Sequence, residues 1–210
     1  MTLQRLWAQV PADYFSKGTS TNLLQKIWHG GKLRAVAATI PTRTIHTLVD
    51  VGSADGSFMA RLNTIRPIRT IVAADPYLPP LRQGRSLFHN LQFVQSDAHR
   101  LPIRSASIDI VTICETLEHV LDPYAVLLEL KRIIQPKGVV IVEMDSGSFL
   151  FQIVWFLWKK FGKGIVWRDS HLTFFNTTLL ETLFVNSGFI REEKRLFNWG
   201  MGVCYRLKRK

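Results

Sequence analysis

The chain is poor in cysteine: only Cys114 and Cys204 occur among its 210 residues, far apart and in no CxxC pair or Cys/His cluster. That scarcity excludes a disulfide framework and a zinc module, so no metal site is expected, and a reducing, cytoplasmic setting is the natural reading. A chain of this length buries a core without such staples. Long hydrophobic runs are lacking as well. The longest, Phe149 to Trp158, contains Gln152 and is about half the length of a membrane-spanning helix. The opening residues MTLQRLWAQVPADYF carry no long apolar run and no small-residue cleavage pattern, so no signal peptide is expected. Internal repeats, low-complexity tracts and Pro/Ser-rich linkers are absent too, which points to a single domain over residues 1–210. Acidic residues are in short supply, 16 against 27 Lys+Arg, for a net charge of +11. Such a balance favours polyanionic partners, either nucleic acid or an anionic membrane surface. Part of the excess is local, in a basic tail of Arg206, Lys208, Arg209 and Lys210.

What is present is an alternation of strand-like and helix-like segments. Short runs rich in β-branched residues occur at 46–51 (HTLVDV), 70–75 (TIVAAD), 91–95 (LQFVQ), 108–113 (IDIVTI) and 138–144 (GVVIVEM). Their nearly continuous apolar character suits strands of a parallel sheet covered on both faces. The segment 122–134 reads as a covering helix with Asp122 as N-cap and Pro123 in the first turn, followed by a Pro136-Lys137-Gly138 turn. Residues 20–40 have helical spacing, broken or bent near Gly30-Gly31, while 177–187 reads as a helix stopped by Gly188 and 189–196 and 201–207 as two final strands.

The sharpest local signal is Asp50-Val-Gly52-Ser-Ala54-Asp-Gly56, a glycine-containing turn between a strand and a helix. Glycine removes Cβ atoms and lets a ligand approach main-chain N–H groups, and the helix N-terminus favours an anionic group. A plain tight turn is the alternative. A P-loop is excluded by the missing lysine, and a dinucleotide fingerprint by Ala54 and Ser57. Three further elements follow at the ends of successive strands, where open α/β sheets bind ligands. Asp75 closes the second strand, Asp97-Ala98 follows the third, and Cys114-Glu115-Thr-Leu-Glu118-His119 follows the fourth. Each has an ordinary counterpart: a solvated carboxylate, a loop aspartate, a buried cap with a satisfied histidine.

In this order the segments resemble the class I S-adenosylmethionine-dependent methyltransferases, in particular the type 11 family that includes the ubiquinone/menaquinone-biosynthesis enzymes. The glycine turn is similar to that family's Asp-x-Gly-x-Gly-x-Gly motif, with Ala54 in place of the middle glycine; its methyl group is expected to narrow the gap to the cofactor and to exclude a strongly positive φ. The stretches SDAHRLPIRSASIDIVTICETLEHVLDP and LKRIIQPKGVVIVE carry the likeness further. The resemblance implies an α/β, Rossmann-like fold: a seven-stranded, mostly parallel sheet with helices on both faces and the last strand antiparallel. It further implies S-adenosyl-L-methionine as cofactor, with Asp50, Gly52, Ala54 and Gly56 at the methionine end. Asp75 would meet the ribose, Asp97 and Ala98 the adenine, and Glu115 to His119 the sulfonium. Residues 1–45 then form an N-terminal helical cover, 46–144 the cofactor-binding core, 145–176 an apolar substrate-side insertion, and 177–210 a C-terminal helix and strands.

Methyl transfer is an in-line displacement from an already activated methyl group, so alignment and water exclusion dominate and a general base is optional. His119 and His171 are the candidates for that base. The run from Phe149 to Trp158, followed by Lys159, Lys160, Lys163 and Arg168, reads either as a lid over the cofactor or as an interfacial element meeting anionic lipid. The acceptor expected from it is an apolar or lipid-linked small molecule. RNA methylation is the alternative that net charge favours, without any appended RNA module. A non-catalytic module that keeps the fold is a third.

Overall fold

The computed structural model describes residues 22–161 and 171–210. The first 21 residues of the expected N-terminal cover, and Lys163 and Arg168 of the insertion, lie outside the described residues. The chain begins with helix α1 (Leu23–Thr39), then β1 (Thr47–Val51), α2 (Ser57–Ile65), β2 (Thr70–Asp75), α3 (Leu78–Leu87) and β3 (Gln92–Gln95). It continues with β4 (Ile108–Cys114), a 3-10 turn at Leu117–His119, α4 (Pro123–Ile133), β5 (Ile134–Asp145), α5 (Phe149–Phe161), α6 (Thr177–Asn186), β6 (Phe189–Phe197) and β7 (Gly202–Arg209).

The seven strands form one sheet in the order β3-β2-β1-β4-β5-β7-β6. The first five are parallel, and β7 runs antiparallel to both β5 and β6, as expected. Strand alternation sends side chains to opposite faces. Val49, Val51, Val111, Ile113, Val140 and Val142 pack with α4 and α6, while Leu48, Ile71, Ile110 and Ile141 pack with α1, α2 and α3. The strand order reverses between β1 and β4, and their carboxyl ends open the crevice where such sheets take ligands.

Three local expectations are corrected. Helix α1 runs unbroken through Gly30 and Gly31. Asn22 caps it by accepting the N–H groups of Leu24 and Gln25, and Gly31 serves a contact made far along the chain: a Cβ there would lie 2.0 Å from the Asn198 side chain. The Pro136-Lys137-Gly138 turn is absorbed into β5, which begins at Ile134 and meets β4 through a register irregularity between Ile108 and Ile110. The basic tail is part of a strand: Arg206 pairs with Glu192 and Glu193, and Lys208 pairs with Glu192, all within 3.3 Å on the β6–β7 hairpin. Strand β6 closes one sheet edge with Arg191, Glu192, Glu193, Lys194 and Arg195 in succession.

The loop after β1 takes three left-handed turns in five residues, Gly52 at φ 78°, Ala54 at 48° and Gly56 at 73°. The alanine therefore adopts the positive φ that its Cβ disfavours. It is held there because its N–H donates to Asp75 Oδ2 at 2.9 Å. The loop's other amides are also used internally: Gly52 and Ser53 donate to Ala74 O, Gly56 to Ser53 O, and Ser57 to the Asp55 carboxylate. The N-terminus of α2 thus carries its own acidic side chain, Asp55, and the amides of Gly52, Ser53, Ala54, Gly56 and Ser57 are engaged within the protein.

A left-handed L-residue costs about 1–2 kcal/mol, partly offset in an Ala→Gly change by the greater chain entropy of glycine. Ala54 is exposed, so its methyl group buries little. Ala54→Gly is expected to raise the thermal midpoint by about 2 °C, read by calorimetry; a fall would show that the methyl group packs usefully.

Candidate functional site

A cavity of ≈ 410 Å³ opens at the carboxyl ends of β1, β4 and β5, roofed by α1 and α5. Its floor is acidic. Asp50, on β1, accepts a hydrogen bond from Thr112 Oγ1 at 2.6 Å. Burial nonetheless pushes its carboxyl up to about 7. Glu115, in the left-handed region at φ 45°, accepts the Trp28 indole N–H at 2.8 Å and the Lys32 ammonium at 3.1 Å. Lys32 also lies 3.2 Å from Glu143 on β5. Burial works against the Glu115 carboxylate, but Lys32, His29 and Trp28 outweigh it and hold it at about 2. Burial would likewise depress Lys32, yet Glu115 and Glu143 keep its pKa well above the usual lysine range.

The other acids go the opposite way. Glu143 and Glu118 are each raised to about 8, first by burial and then by neighbouring carboxylates. Asp145 is raised to about 7 for the same reasons. At neutral pH the floor therefore holds one charged Lys32–Glu115 pair beside Glu118 and Glu143, which burial keeps largely protonated, and Asp50 and Asp145, which titrate near neutrality.

The roof is aromatic. Residues Phe151, Trp155 and Trp158 of α5, at helical spacing, line the cavity with Trp28 of α1. Phe151 stacks on Trp155 with centroids 5.9 Å apart, Trp155 stacks on His171 at 5.6 Å, and His171 meets His119 edge-on at 5.0 Å. Burial lowers His171 to about 4, aided by His119, so its ring is neutral. The segment carrying it is tied to the 3-10 turn, since Glu118 O accepts the N–H groups of Leu172 (2.7 Å) and Thr173 (3.2 Å). The outer face of α5 is a different surface: Phe149 is 77% and Phe156 58% exposed, with Leu150, Ile153 and Leu157 beside them.

Of the residues singled out in the sequence, Asp50, Gly52, Ala54, Glu115, His119 and His171 line this cavity. Gly56 lies behind it as the N-cap of α2. Asp75 stands one residue layer away at the end of β2, reached through Ala54. Its two carboxylate oxygens accept the amides of Ala54 (2.9 Å) and Tyr77 (2.8 Å), which leaves a lone-pair site on each. Asp97 and Ala98 follow β3, outside the cavity lining. Burial pushes the Asp97 carboxyl up slightly, but hydrogen bonds from the backbone and ring of His99 outweigh it and lower the pKa. Sequence reasoning missed Trp28, His29 and Lys32, and also Asp145 and Glu143. A signal was available for the first group: Gln25, His29 and Lys32 are polar yet buried on one face of α1, at i, i+4 and i+7.

A cation suits this floor. Four carboxyl groups, Asp50, Glu115, Glu118 and Glu143, lie within the field of one lysine, with Asp145 beside Glu118, and an arriving positive charge would favour their ionised forms.

Comparison with known proteins agrees. Residues 49–142 match the family described as "Methyltransferase domain". The chain is 28% identical over 129 residues to a malonyl-[acyl-carrier protein] O-methyltransferase of Marinomonas, covering 59% of this chain and 48% of that protein. It is 29% identical over 87 residues to a ubiquinone/menaquinone biosynthesis C-methyltransferase of Campylobacter jejuni, covering 40% and 37%. It thus spans about half or less of these curated relatives. Among solved structures, an S-adenosylmethionine-dependent methyltransferase from Thermotoga maritima superposes with a TM-score of 0.76 at 20% identity, covering 100% of both chains, which speaks to the fold. The cofactor of this domain is S-adenosyl-L-methionine. The glycine turn at the end of β1, the acids that end the neighbouring strands and the family match over residues 49–142 together mark that segment as a class I, type 11 S-adenosylmethionine-dependent methyltransferase domain.

Proposed function

We propose that this protein transfers the methyl group of S-adenosylmethionine to an apolar, small-molecule acceptor, of the lipid-linked or prenylated kind. The observation that carries the reading is the division of one cavity into an acidic floor and an aromatic roof. When bound, the cofactor supplies a methyl group on a positively charged sulfur, already activated for displacement. The chain's own residues then hold, orient and shield.

In this reading Asp75 accepts the ribose hydroxyls with its two remaining lone pairs, and Asp97 with Ala98 meets the adenine. Asp50, Gly52, Ala54 and Gly56 shape the methionine end, with Gly56 acting through the turn it closes. Glu115, ionised through Lys32, lies nearest the sulfonium charge. Trp28, Phe151, Trp155 and Trp158 offer flat apolar surface to the acceptor and exclude water, which aligns the reactants and keeps the reaction in-line. Where no bound ion assists, His119 and His171, both on the cavity wall, are the candidates to take a proton from an acceptor hydroxyl.

The two relatives support this choice, since one is named for ubiquinone/menaquinone biosynthesis and the other for malonyl-[acyl-carrier protein]. The outer apolar face of α5, bordered by Lys159 and Lys160, supports the accompanying proposal that the protein collects its acceptor at an anionic membrane surface. Among the described residues no helix is long and apolar enough to cross a membrane. RNA methylation gains less support, because Arg206 and Lys208 are held in ion pairs.

Three outcomes test these statements. Purified protein offered a prenylated hydroquinone in detergent, a malonyl thioester or transfer RNA should release S-adenosylhomocysteine with an apolar acceptor, and Trp155→Ala should lower that rate about tenfold. Release with transfer RNA alone sinks the reading. Asp75→Ala should weaken S-adenosylhomocysteine binding, measured calorimetrically, by on the order of 10- to 100-fold, the worth of one or two hydrogen bonds to a charged group; unchanged affinity would remove Asp75 from the ribose.

The third outcome concerns pH. Asp50, Glu118, Glu143 and Asp145 have pKa values raised to about 7–8 by burial, so they lose protons as pH rises from 6 to 9. S-adenosylmethionine carries the sulfonium charge and S-adenosylhomocysteine does not. The ratio of their affinities should therefore shift toward the sulfonium form as pH rises, by up to about tenfold for each unit of pKa displaced. A flat ratio across that range would mean that the acidic floor does not sense the charge.

A further inference from the structure

Where the floor meets the roof, one of the floor's acids, Glu118, joins two histidines of the cavity wall. Glu118, His119 and His171 each offer one ligand atom, and these three atoms lie within 4.8 Å of one another. All three residues line the cavity. Glu118 is only 3% exposed, and its Oε2 has no hydrogen-bond partner among the described residues. Its Oε1 lies 4.0 Å from His119 Nε2. A buried carboxylate oxygen with nothing to bind costs free energy, so an occupant is chemically called for at that point.

We propose that Glu118, His119 and His171 form a binding site for one divalent transition-metal ion of the zinc type, with its open position toward the cavity.

Two imidazoles and a carboxylate are the donor set of catalytic zinc sites, which keep one position free for water or substrate, and the same set suits other first-row divalent ions. An ion at the centre of the three atoms lies at most about 2.8 Å from each, and closing to the usual 2.0–2.2 Å takes less than about 1 Å of movement per ligand. The supports that such ligands need are in place. The two hydrogen bonds from Leu172 and Thr173 to Glu118 O fix the His171 segment against the turn, the Trp155 face fixes the His171 ring plane, and the His119 N–H is held by Thr116 O at 3.0 Å. Lys159 lies close enough to act on His171, and Glu115 acts on it in the opposite sense.

The role assigned to this ion rests on the methyl-transfer reading and narrows the acceptor to one with an ionisable oxygen. Beside the ion an acceptor O–H loses its proton to solvent more readily. The oxygen supplies the electron pair of the new bond to the methyl carbon, and the pair of the broken C–S bond stays on sulfur; where a ring carbon conjugated to that oxygen supplies the pair instead, it then gives up its own hydrogen as a proton and the oxygen regains one.

The binding itself is tested without acceptor or cofactor. The full chain, stripped with a chelator, is titrated with Zn²⁺ in a calorimeter and with Co²⁺ by visible absorption. One equivalent is expected to bind at micromolar concentration or below, with Co²⁺ giving a ligand-field band of low coordination number. Affinity should fall at least 30-fold in His171→Ala and in Glu118→Gln, with S-adenosylhomocysteine binding retained as the check on folding. If Glu118→Gln fails that check, His171→Ala decides alone. Absence of Zn²⁺ binding, or equal binding in His171→Ala, which would assign the ion to other histidines, overturns the site. Bound zinc in a protein that methylates no oxygen-bearing acceptor would instead overturn the proposed function and leave the site standing.

Discussion

The ammonium group of Lys32 lies between the carboxyl groups of Glu115 and Glu143, 3.1 and 3.2 Å away, and through it α1 is fastened to the ends of the two central strands. Removing charges from water is expensive, and one buried partner without the other is more expensive still. This explains why a lysine is tolerated on the inner face of a helix, and why the helix sits where it does. The pair also sets the electrostatics of the cavity. With Lys32 present, Glu115 stays ionised while Glu143 is largely protonated. One full negative charge is thereby maintained where the remaining acids alone would settle for none.

Much of the sheet was legible because doubly covered parallel strands leave few choices. Runs such as IDIVTI and VVIV have no polar side to turn to water, and the N-cap role of Asp122 follows from its place before Pro123 and is confirmed by its bond to Ala125 N. What escaped depends on partners distant in the chain. Gly30-Gly31 reads locally as a break, yet Gly31 is small because Asn198 packs on it. The left-handed Ala54 is likewise a tertiary effect, imposed by its bond to Asp75 against local preference.

The site was legible on its cofactor side and not on the other. Asp50, Gly52 and Glu115 sit in a contiguous pattern tied to strand ends, so order along the chain brings them together. Trp28, Lys32, Glu118, Asp145 and His171 come from four separate elements, and only docking of α1 and the 171–175 segment makes them neighbours. Histidine spacing shows nothing for the same reason: His119 and His171 meet through Glu118's carbonyl group, a link between main chains that no side-chain pattern encodes.

The charged outer strand of the sheet has its own consequence. An unpaired strand edge is a template for another polypeptide, and β6 presents cations and anions side by side along that edge. A second chain laid against it would have to bring both signs in register or bury unmatched charge. At the far side β3 is only four residues long, too short to seed extended pairing. The sheet thus ends on both sides in borders that resist recruitment, and the apolar surface the protein does expose, on α5, can stay sticky without inviting fibrous growth.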